Sequence, residues 1–421
     1  MTPPLQVKRW TSRLILLSLA WLAASAIIPA AQAQTYTILY SFQGENDGAY
    51  PHGVIVDAQG NLYGTTSAYG GYSYHGTTFK LNPLNQEAIL YSFLAGYGSN
   101  PFSGVIEDER GDFFGTTIYG GAYGLGTVFG MDTKGNEVVL HNFTGVSGDG
   151  EYPEGGLLQD AAGNFYGTTL YAGKPDCGNG LGCGMVFKIS RTGEETQLHI
   201  FTGHADGGWP IANLVSDKAG NLYGTASGGG DTNCDGGYGC GTVFKIDTQG
   251  NYTVLYTFTG SPTDGATPEA GVILDSAGNL YGTTQFGGTS GLGTVFKLDP
   301  AGQETVLYSF LGPPQDGSFP AYSPLFRDAA GNLYGETTSG GDPCSYGVPG
   351  CGIIFMLNPS GKETVLHYFM GSGDGAYPVG GLTPDGKGNL YGATGYGGPY
   401  SNVCIDYDIE YGCGTVFKLT Q

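Results

Sequence analysis

Six aspartates of this 421-residue chain recur in one short pattern, Asp-Gly-x-x-Pro. Carboxylate oxygens are the ligands that Ca²⁺ and other hard cations prefer, so a ring of such side chains would form a cation site. Alternatively, each Asp accepts hydrogen bonds from the backbone of its own loop as an Asx-turn, and the following Gly supplies a left-handed residue. The six are Asp47, Asp149, Asp206, Asp264, Asp316 and Asp374, and the corresponding segment at residues 97–101 lacks the acid.

Tyrosines accumulate in the segments that differ most from one part of the chain to another. An exposed tyrosine offers a large, rigid surface with a polar tip, which suits protein surfaces and the stacking of sugar rings. The alternative is that the rings pack against Gly-rich loop backbone. The candidate binding residues are Tyr72, Tyr74, Tyr123, Tyr238, Tyr346, Tyr400, Tyr407 and Tyr411, and further tyrosines of this kind are Tyr69, Tyr119, Tyr171 and Tyr396.

The eight cysteines form four pairs that are close in sequence. They are Cys177 and Cys183, Cys234 and Cys240, Cys344 and Cys351, and Cys404 and Cys413. This spacing favours four local disulfides made in an oxidising compartment. A metal cluster would need thiolates from separate parts of the chain to converge, and no Cys-x-x-Cys motif supports redox activity.

Few residues are candidates for catalysis. His52, His75 and His204 lie in separate loops, and none has a neighbouring Ser or Cys in a nucleophile motif. Glu336 is interpreted as an insertion in the phrase Gly-Asn-Leu-Tyr-Gly-Glu-Thr-Thr, which predicts a β-bulge. Bulges occur at ordinary sheet edges and beside active sites alike, so the sequence names no catalytic residue.

An internal repeat of 51 to 58 residues must position all these groups. The phrase Gly-Asn-Leu-Tyr-Gly or a close variant begins at Gly60, Gly111, Gly163, Gly220, Gly278, Gly331 and Gly388. Three further phrases keep the same period: an apolar run ending in Asp, Gly-Thr-Val-Phe-Lys-Leu, and Glu-Thr-Val-Leu-Tyr-Ser-Phe. All four are short, rich in β-branched and aromatic residues, and bounded by turn residues, which is typical of strands. Each unit is therefore predicted to be a four-stranded antiparallel sheet.

Seven such sheets predict a propeller, because radial stacking buries both faces of every sheet. Residues 36–42 are a strand of the fourth type, whereas residues 414–419 are a strand of the third type. The seventh blade is complete only if these two segments pair. A parallel β-helix is the alternative, but its coils would need a much shorter period. The predicted fold class is all-β: a seven-bladed β-propeller with four antiparallel strands per blade, closed by the N-terminal strand.

Variation between the units is concentrated between the second and third strands, where the loops run from 8 to 19 residues. These loops contain all the cysteines and most of the candidate tyrosines, and they share one rim of the predicted propeller. Because recurring positions are explained by packing and turns, function is expected on this rim.

The combined phrases resemble the GloVer tandem repeat, a choice-of-anchor family of secreted bacterial repeat proteins. The resemblance covers essentially all of residues 35–421 and implies an extracytoplasmic repeat protein. It brings no catalytic residues to carry over, and the chain lacks a recognisable C-terminal anchor.

Residues 1–33 have the composition of a secretory signal peptide. Lys8, Arg9 and Arg13 precede an apolar run, and residues 31–33 offer a small-x-small cleavage pattern. An uncleaved membrane anchor is the alternative. With cleavage, residues 34–421 form the propeller domain, secreted to the extracellular space or periplasm with no membrane insertion.

The chain is strongly acidic, with a formal charge of −21, and removing three signal-peptide cations gives −21 − 3 = −24. A surface of this sign repels phosphate backbones, which argues against a nucleic-acid partner.

The predicted function is a binding or scaffolding module for extracellular carbohydrate or a partner protein. The alternatives are a polysaccharide-cleaving hydrolase or lyase and a purely structural surface protein. No cofactor is predicted apart from the candidate Ca²⁺ at the channel mouth. Acid or base residues from different blades in one pocket would favour an enzyme, whereas a Tyr-lined rim without them would favour binding.

Overall fold

The structure, a computed structural model, describes residues 34–420, except residues 71–73, 147, 173–176, 178–179, 343, 346–349, 372, 400–402, 407–408 and 411. Residues 34–421 form one compact unit of the chain. The predicted signal peptide lies outside the described residues and stays a prediction.

Seven four-stranded antiparallel sheets follow one another, as predicted. Blade 1 contains β2 (Ala49–Val56), β3 (Leu62–Ala68), β4 (Thr77–Leu81) and β5 (Glu87–Ser92). Blade 2 contains β6 (Ile106–Glu107), β7 (Phe113–Thr117), β8 (Thr127–Met131) and β9 (Glu137–Asn142). Blade 3 contains β11 (Leu158–Gln159), β12 (Phe165–Thr169), β14 (Met185–Ile189) and β15 (Glu195–Ile200), with the short pair β10 (Gly150–Glu151) and β13 (Tyr171–Ala172) beside them.

The next three blades repeat this plan. Blade 4 contains β16 (Val215–Ser216), β17 (Leu222–Ala226), β18 (Thr242–Ile246) and β19 (Tyr252–Thr257), with a 3₁₀ turn at Asp235–Gly237. Blade 5 contains β21 (Ile273–Leu274), β22 (Leu280–Thr284), β24 (Thr294–Leu298) and β25 (Glu304–Ser309), and the pair β20 (Gly265–Ala266) and β23 (Phe286–Gly287). Blade 6 contains β27 (Phe326–Arg327), β28 (Leu333–Thr337), β30 (Ile353–Leu357) and β31 (Glu363–Tyr368), and the pair β26 (Gly317–Ser318) and β29 (Ser339–Gly340).

The N-terminal strand closes the ring, as predicted. Blade 7 is built from β32 (Ala376–Pro384), β33 (Asn389–Tyr396) and β36 (Thr415–Thr420), with β1 (Thr35–Ser41) as its fourth strand. The short hairpin β34 (Ile405–Asp406) and β35 (Ile409–Glu410) lies in the loop before β36. Ile38 pairs with Phe417, and Tyr40 pairs with Val416. The two ends of the propeller therefore share one sheet.

The core lies between the blades and is built on seven phenylalanine pairs. In each pair, a ring at the end of a fourth strand meets the third-strand ring of the next blade edge to face, with centroids 5.0 to 5.6 Å apart. The second Gly of the Gly-Asn-Leu-Tyr-Gly phrase makes room for the third-strand ring. A Cβ added at Gly64 would lie 2.7 Å from Phe79 Cζ. This contact explains why the phrase ends in glycine.

The predicted insertion at Glu336 is wrong. Glu336 pairs with Ile354 in an unbroken register, and Thr337 pairs with Ile353 just as Thr284 pairs with Thr294 in blade 5. Glu336 therefore replaces a threonine of the repeat. The extra residue of blade 6 is instead in its first strand segment, where Tyr322 has a φ of 59° between the recurring Pro and Asp. The sequence suggested an insertion at Glu336 because Thr337 and Thr338, which follow it, look like the recurring Thr-Thr pair moved by one residue.

Candidate functional site

The first strands of adjacent blades converge on the axis of the propeller, where they enclose a cavity. The residues that line it come from the segment just after the proline that recurs in every blade. All seven blades contribute: His52, Phe102, Glu154, Ile211, Glu269, Tyr322 and Val379 are the main side chains. The repeat thus supplies one framework and presents a different side chain from each blade.

The residue before each of these prolines has a left-handed backbone, which is uncommon for a side chain other than Gly or Asn. The seven are Tyr50, Asn100, Tyr152, Trp209, Thr267, Phe319 and Tyr377, with φ between 54° and 61°. Each donates its N–H to a carbonyl that precedes the third strand of the preceding blade, at 2.7 to 2.9 Å. These hydrogen bonds hold a conformation that costs about 1 to 3 kcal/mol per residue. The hydrogen bonds therefore fix the direction in which the side chain after the proline points towards the axis.

We call the seven residues before the prolines anchor residues, and disulfides support four of them. Cysteines pair as predicted, with Cα atoms 5.1 to 5.5 Å apart. The second cysteine of every pair provides the carbonyl that accepts from the anchor of the next blade. Cys413 accepts from Tyr50 and Cys351 accepts from Tyr377, and both tyrosines line a second, outer cavity next to the axis. The disulfide-bonded loops of the variable rim are therefore connected by hydrogen bonds to residues next to the axis.

An outer cavity of about 360 Å³ opens between blades 6, 7, 1 and 2, next to the ends of their second strands. Tyr396 lies at its wall, with ring centroids 5.1 Å from Tyr50 and 5.4 Å from Tyr377. On another side, Phe102 lies 4.2 Å from the His52 ring and 6.0 Å from the Tyr322 ring. This lining is aromatic with polar edges, a composition that suits a small organic ligand.

The cavity at the axis is a narrower recess of about 40 Å³ that adjoins the outer cavity. The outer cavity and the recess together are called the axial cavity below. His52, Phe102, Tyr322 and Val379 line both spaces, whereas Glu154 and Glu269 line only the recess. Close backbone approach narrows the axis here, since a Cβ added at Gly271 would lie 2.6 Å from Asn213 O. The recess therefore has the volume for about one water molecule or one functional group of a ligand.

Burial shifts the pKa values of the ionisable side chains that line the recess. Burial raises the pKa of Glu154 to about 7. Burial also raises the pKa of Glu269 to about 7, with a smaller contribution from repulsion by Glu154, while the Tyr322 hydroxyl favours the charged form. Burial lowers the pKa of His52 to about 3, so its imidazole is neutral at ordinary pH. Burial raises the pKa of Tyr322, and so do the two glutamates.

Two buried polar atoms in the recess lack a hydrogen-bond partner among the described residues: His52 Nε2 and Glu269 Oε2. His52 is only 6% exposed. Buried polar atoms in folded proteins are nearly always hydrogen-bonded, so these two atoms are available to a water molecule or to a polar group of a ligand.

Glu336 lies beside the extra residue of blade 6 and is 2% exposed. Its Oε2 accepts a hydrogen bond of 3.0 Å from Ser323 Oγ, next to Tyr322 in sequence. Burial raises the pKa of Glu336 to about 7, although Ser323 and the Gly381 backbone favour the charged form. Five other blades have threonine at this position, so Glu336 is specific to the blade that carries Tyr322.

The six Asp-Gly-x-x-Pro carboxylates do not lie where the cation-ring prediction placed them. A tyrosine hydroxyl or histidine Nε2 of the fourth, outermost strand lies 2.9 to 3.3 Å from each carboxylate. Each carboxylate also accepts a backbone N–H from its own loop, as Asp264 does from Thr259 at 2.8 Å. They are therefore loop-fixing residues beside outer strands, and this corrects the ring at the channel mouth.

One group of metal-ligating side chains occurs in this layer, among the residues that the structure describes. Ligand atoms of His141, Asp149 and Glu195 lie within 4.8 Å of one another. Burial would raise the pKa of Asp149, but hydrogen bonds from His141 and Thr144 lower it. Tyr40, Asp47 and Glu87 occupy the same positions two repeats earlier in the ring, which identifies the cluster as a variant of a structural triad. Binding of Ca²⁺ stays a prediction.

Three of the candidate rim tyrosines are well exposed: Tyr74 by 70%, Tyr123 by 63% and Tyr238 by 61%. Tyr74 lies 5.8 Å from Tyr69, which lies 6.3 Å from Tyr50 at the axial cavity. The other candidates, Tyr72, Tyr346, Tyr400, Tyr407 and Tyr411, lie outside the described residues. A binding role for this rim stays a prediction.

Sequence reasoning missed His52, Glu154, Glu269 and Tyr322 as one group. A signal was present, because the recurring proline is followed by His, Phe, Glu, Ile, Glu, Ala or Val in successive blades. That variation lies within a strand segment, whereas functional differences between the units were expected in the loops.

The fold and the site define a seven-bladed β-propeller with a ligand-sized axial cavity. A family model for the Gloeobacter/Verrucomicrobia repeat matches residues 27–236 and 232–421. The chain belongs to this family, which confirms the resemblance found in the sequence.

Solved structures share the fold at low sequence identity. Virginiamycin B lyase from Staphylococcus aureus matches with a TM-score of 0.57 and 12% identity, over 92% of this chain and 99% of the lyase. The extracellular domain of a one-component system from B. thetaiotaomicron matches with a TM-score of 0.50 and 12% identity, over 92% of this chain and 41% of that one. These likenesses show the fold alone.

No curated protein matches the chain. Among the described residues, no helix has the length and apolar character needed to cross a membrane. The four disulfides are typical of an oxidising compartment, which supports a secreted or periplasmic location.

Proposed function

We propose that this is a secreted binding protein whose ligand is a small, neutral, polyhydroxylated molecule of the carbohydrate class, held in the axial cavity. The observation that carries the proposal is an aromatic cavity that leads to two buried polar atoms with no hydrogen-bond partner in the part of the chain that the structure describes. This moves the predicted binding surface from the outer loops to the centre of the same rim.

The chemistry of the lining supports a sugar. Tyrosine rings stack against the C–H faces of sugar rings, and Tyr50, Tyr377 and Tyr396 form a connected set of such rings. Sugar hydroxyls can donate to Glu269 Oε2 and bond with His52 Nε2. The cavity of about 360 Å³ suits one or two sugar rings, since small-ligand sites begin at about 300 Å³.

The charge of the protein favours a neutral ligand over an anionic one. The chain carries a formal charge of −21, and the recess itself contains two carboxyl groups. Uronates and phosphates would be repelled before they reached the cavity.

Calorimetry with neutral methyl hexosides and disaccharides tests the proposal. Tyr396→Ala should weaken the binding of the recognised sugar by about tenfold, because it removes a stacking surface. Tyr238→Ala is the matched control, since this tyrosine is exposed on blade 4 and does not line the cavity. Binding that depends on Tyr238 and not on Tyr396 would contradict an axial site.

A partner protein on the outer rim is a second candidate. The specific observation is the high exposure of Tyr74, Tyr123 and Tyr238, since exposed tyrosines are common in protein-binding surfaces. The same two variants decide between the candidates, because a rim partner would lose affinity with Tyr238→Ala and keep it with Tyr396→Ala.

A further inference from the structure

Resting on the proposed carbohydrate ligand, we infer that the recess is a hydrolytic site, where Glu154 and Glu269 act as general acid and general base on a glycosidic bond. The inference assigns an activity to the binding site, in addition to recognition.

The placement of the two carboxyl groups is the first argument. Glu154 enters the recess from blade 3 and Glu269 from blade 5, each directly after the recurring proline. The corresponding positions in the other blades are His, Phe, Ile, Ala and Val, so the repeat itself does not require an acid there. Two acids from separate blades line one recess, and glycoside hydrolysis uses a pair of carboxyl groups that flank the scissile bond.

The surroundings of the two acids assign their roles. Burial alone raises the pKa of Glu154, which favours its neutral, proton-carrying form. Glu269 interacts with the Tyr322 hydroxyl, which favours its charged form. Because two charged carboxylates repel each other, the pair holds one proton in the neutral range. The hydrogen bond from Tyr322 stabilises the charged form of Glu269, so in this inference Glu269 is the base and Glu154 the acid.

The reaction step balances without a cofactor. Glu154 transfers its proton to the glycosidic oxygen as the bond between that oxygen and the anomeric carbon breaks. A water molecule in the recess bonds to the anomeric carbon and gives one proton to Glu269. The products are an alcohol and a hemiacetal, and the proton returns from Glu269 to Glu154 through solvent. His52, which is neutral and whose Nε2 has no hydrogen-bond partner among the described residues, positions a sugar hydroxyl.

The test uses the 4-methylumbelliferyl glycoside of whichever sugar binds in calorimetry, with fluorescence release measured from pH 4 to 9. We expect turnover with a bell-shaped profile near pH 7, because both acids have pKa values of about 7. Glu154→Gln and Glu269→Gln should each reduce the rate at least 100-fold and change the affinity for the methyl glycoside only a few-fold.

Glu304→Gln is the matched control, because Glu304 also has a pKa of about 7 but lies on outer strand β25. It should leave turnover unchanged. Melting temperatures establish that the variants fold, and Glu154→Asp, which keeps the acid, should retain part of the activity.

Two results would overturn the inference: a glycoside that binds at the axis but is not cleaved, or cleavage that survives both Gln substitutions. The first leaves the proposed binding function intact. If no sugar of the panel binds, the binding proposal itself fails and the hydrolytic inference fails with it.

Discussion

Replacement of Glu336 by glutamine should stabilise the propeller, and only at neutral and alkaline pH. Glu336 is 2% exposed, and its Oε1 has no hydrogen-bond partner among the described residues. Ser323 Oγ is 3.0 Å from the other oxygen. A charged carboxylate here is therefore desolvated and incompletely hydrogen-bonded, a combination that destabilises the folded state.

The magnitude follows from the pKa values. Burial raises the pKa of Glu336 from 4.5 to about 7 on folding, so between these pH values the folded chain holds a proton that the unfolded chain has lost. The contribution of Glu336 to stability is fully present below pH 4.5 and is lost as the pH rises through 7. A difference of about 2.5 between the two pKa values corresponds to about 3 kcal/mol. For a folded chain of this length, that is about 4 °C in melting temperature.

Scanning calorimetry at pH 5 and pH 8 measures the effect. Glu336→Gln should melt about 4 °C above the unsubstituted protein at pH 8 and within about 1 °C of it at pH 5. Glu336→Thr introduces the threonine that five other blades have at this position, and it tests whether that residue also raises the melting temperature at pH 8. Glu304→Gln should change little, since Glu304 is half-exposed and screened by solvent. The reasoning is refuted if Glu336→Gln and the unsubstituted protein differ equally at the two pH values.

Three further predictions concern the fold. Phe42→Ala should destabilise the protein by about 3 to 5 kcal/mol in chemical unfolding, because Phe42 packs where the N-terminal strand closes the ring. Leu84→Ala, at a turn residue that is 78% exposed, should have little effect on the free energy of unfolding. Equal effects of the two substitutions would count against closure by the N-terminal strand. Gly64→Ala should cost about 1 to 3 kcal/mol by overpacking against the facing phenylalanine, and Gly96→Ala, with open space around it, should not; a tolerated Gly64→Ala would contradict the packing explanation. Reduction of the four disulfides should lower the melting temperature by about 10 °C, since each closes a short ring worth about 2 kcal/mol, and it should weaken ligand binding through the anchors they hold; unchanged melting would contradict their structural role.

The protein also illustrates what a repeat sequence determines by itself. Each strand phrase contains its own turn residues and alternation, so four strands per unit follow from local chemistry. The phase of the first and last strands then requires β1 to pair with β36, and the structure has that pairing. The spacing of the cysteines likewise fixed their pairing, because each pair lies at the two ends of one loop.

Only the tertiary structure decided the site. His52, Glu154, Glu269 and Tyr322 are separated by more than 50 residues each, and they meet because seven first strands point at one axis. No local pattern shows that convergence, since each residue occupies an ordinary position after a proline. The aspartates that looked most like a site lie instead beside outer strands, where their own loops use them. Local backbone chemistry is repeated and therefore readable from the sequence, whereas the site depends on radial geometry, which no single unit contains.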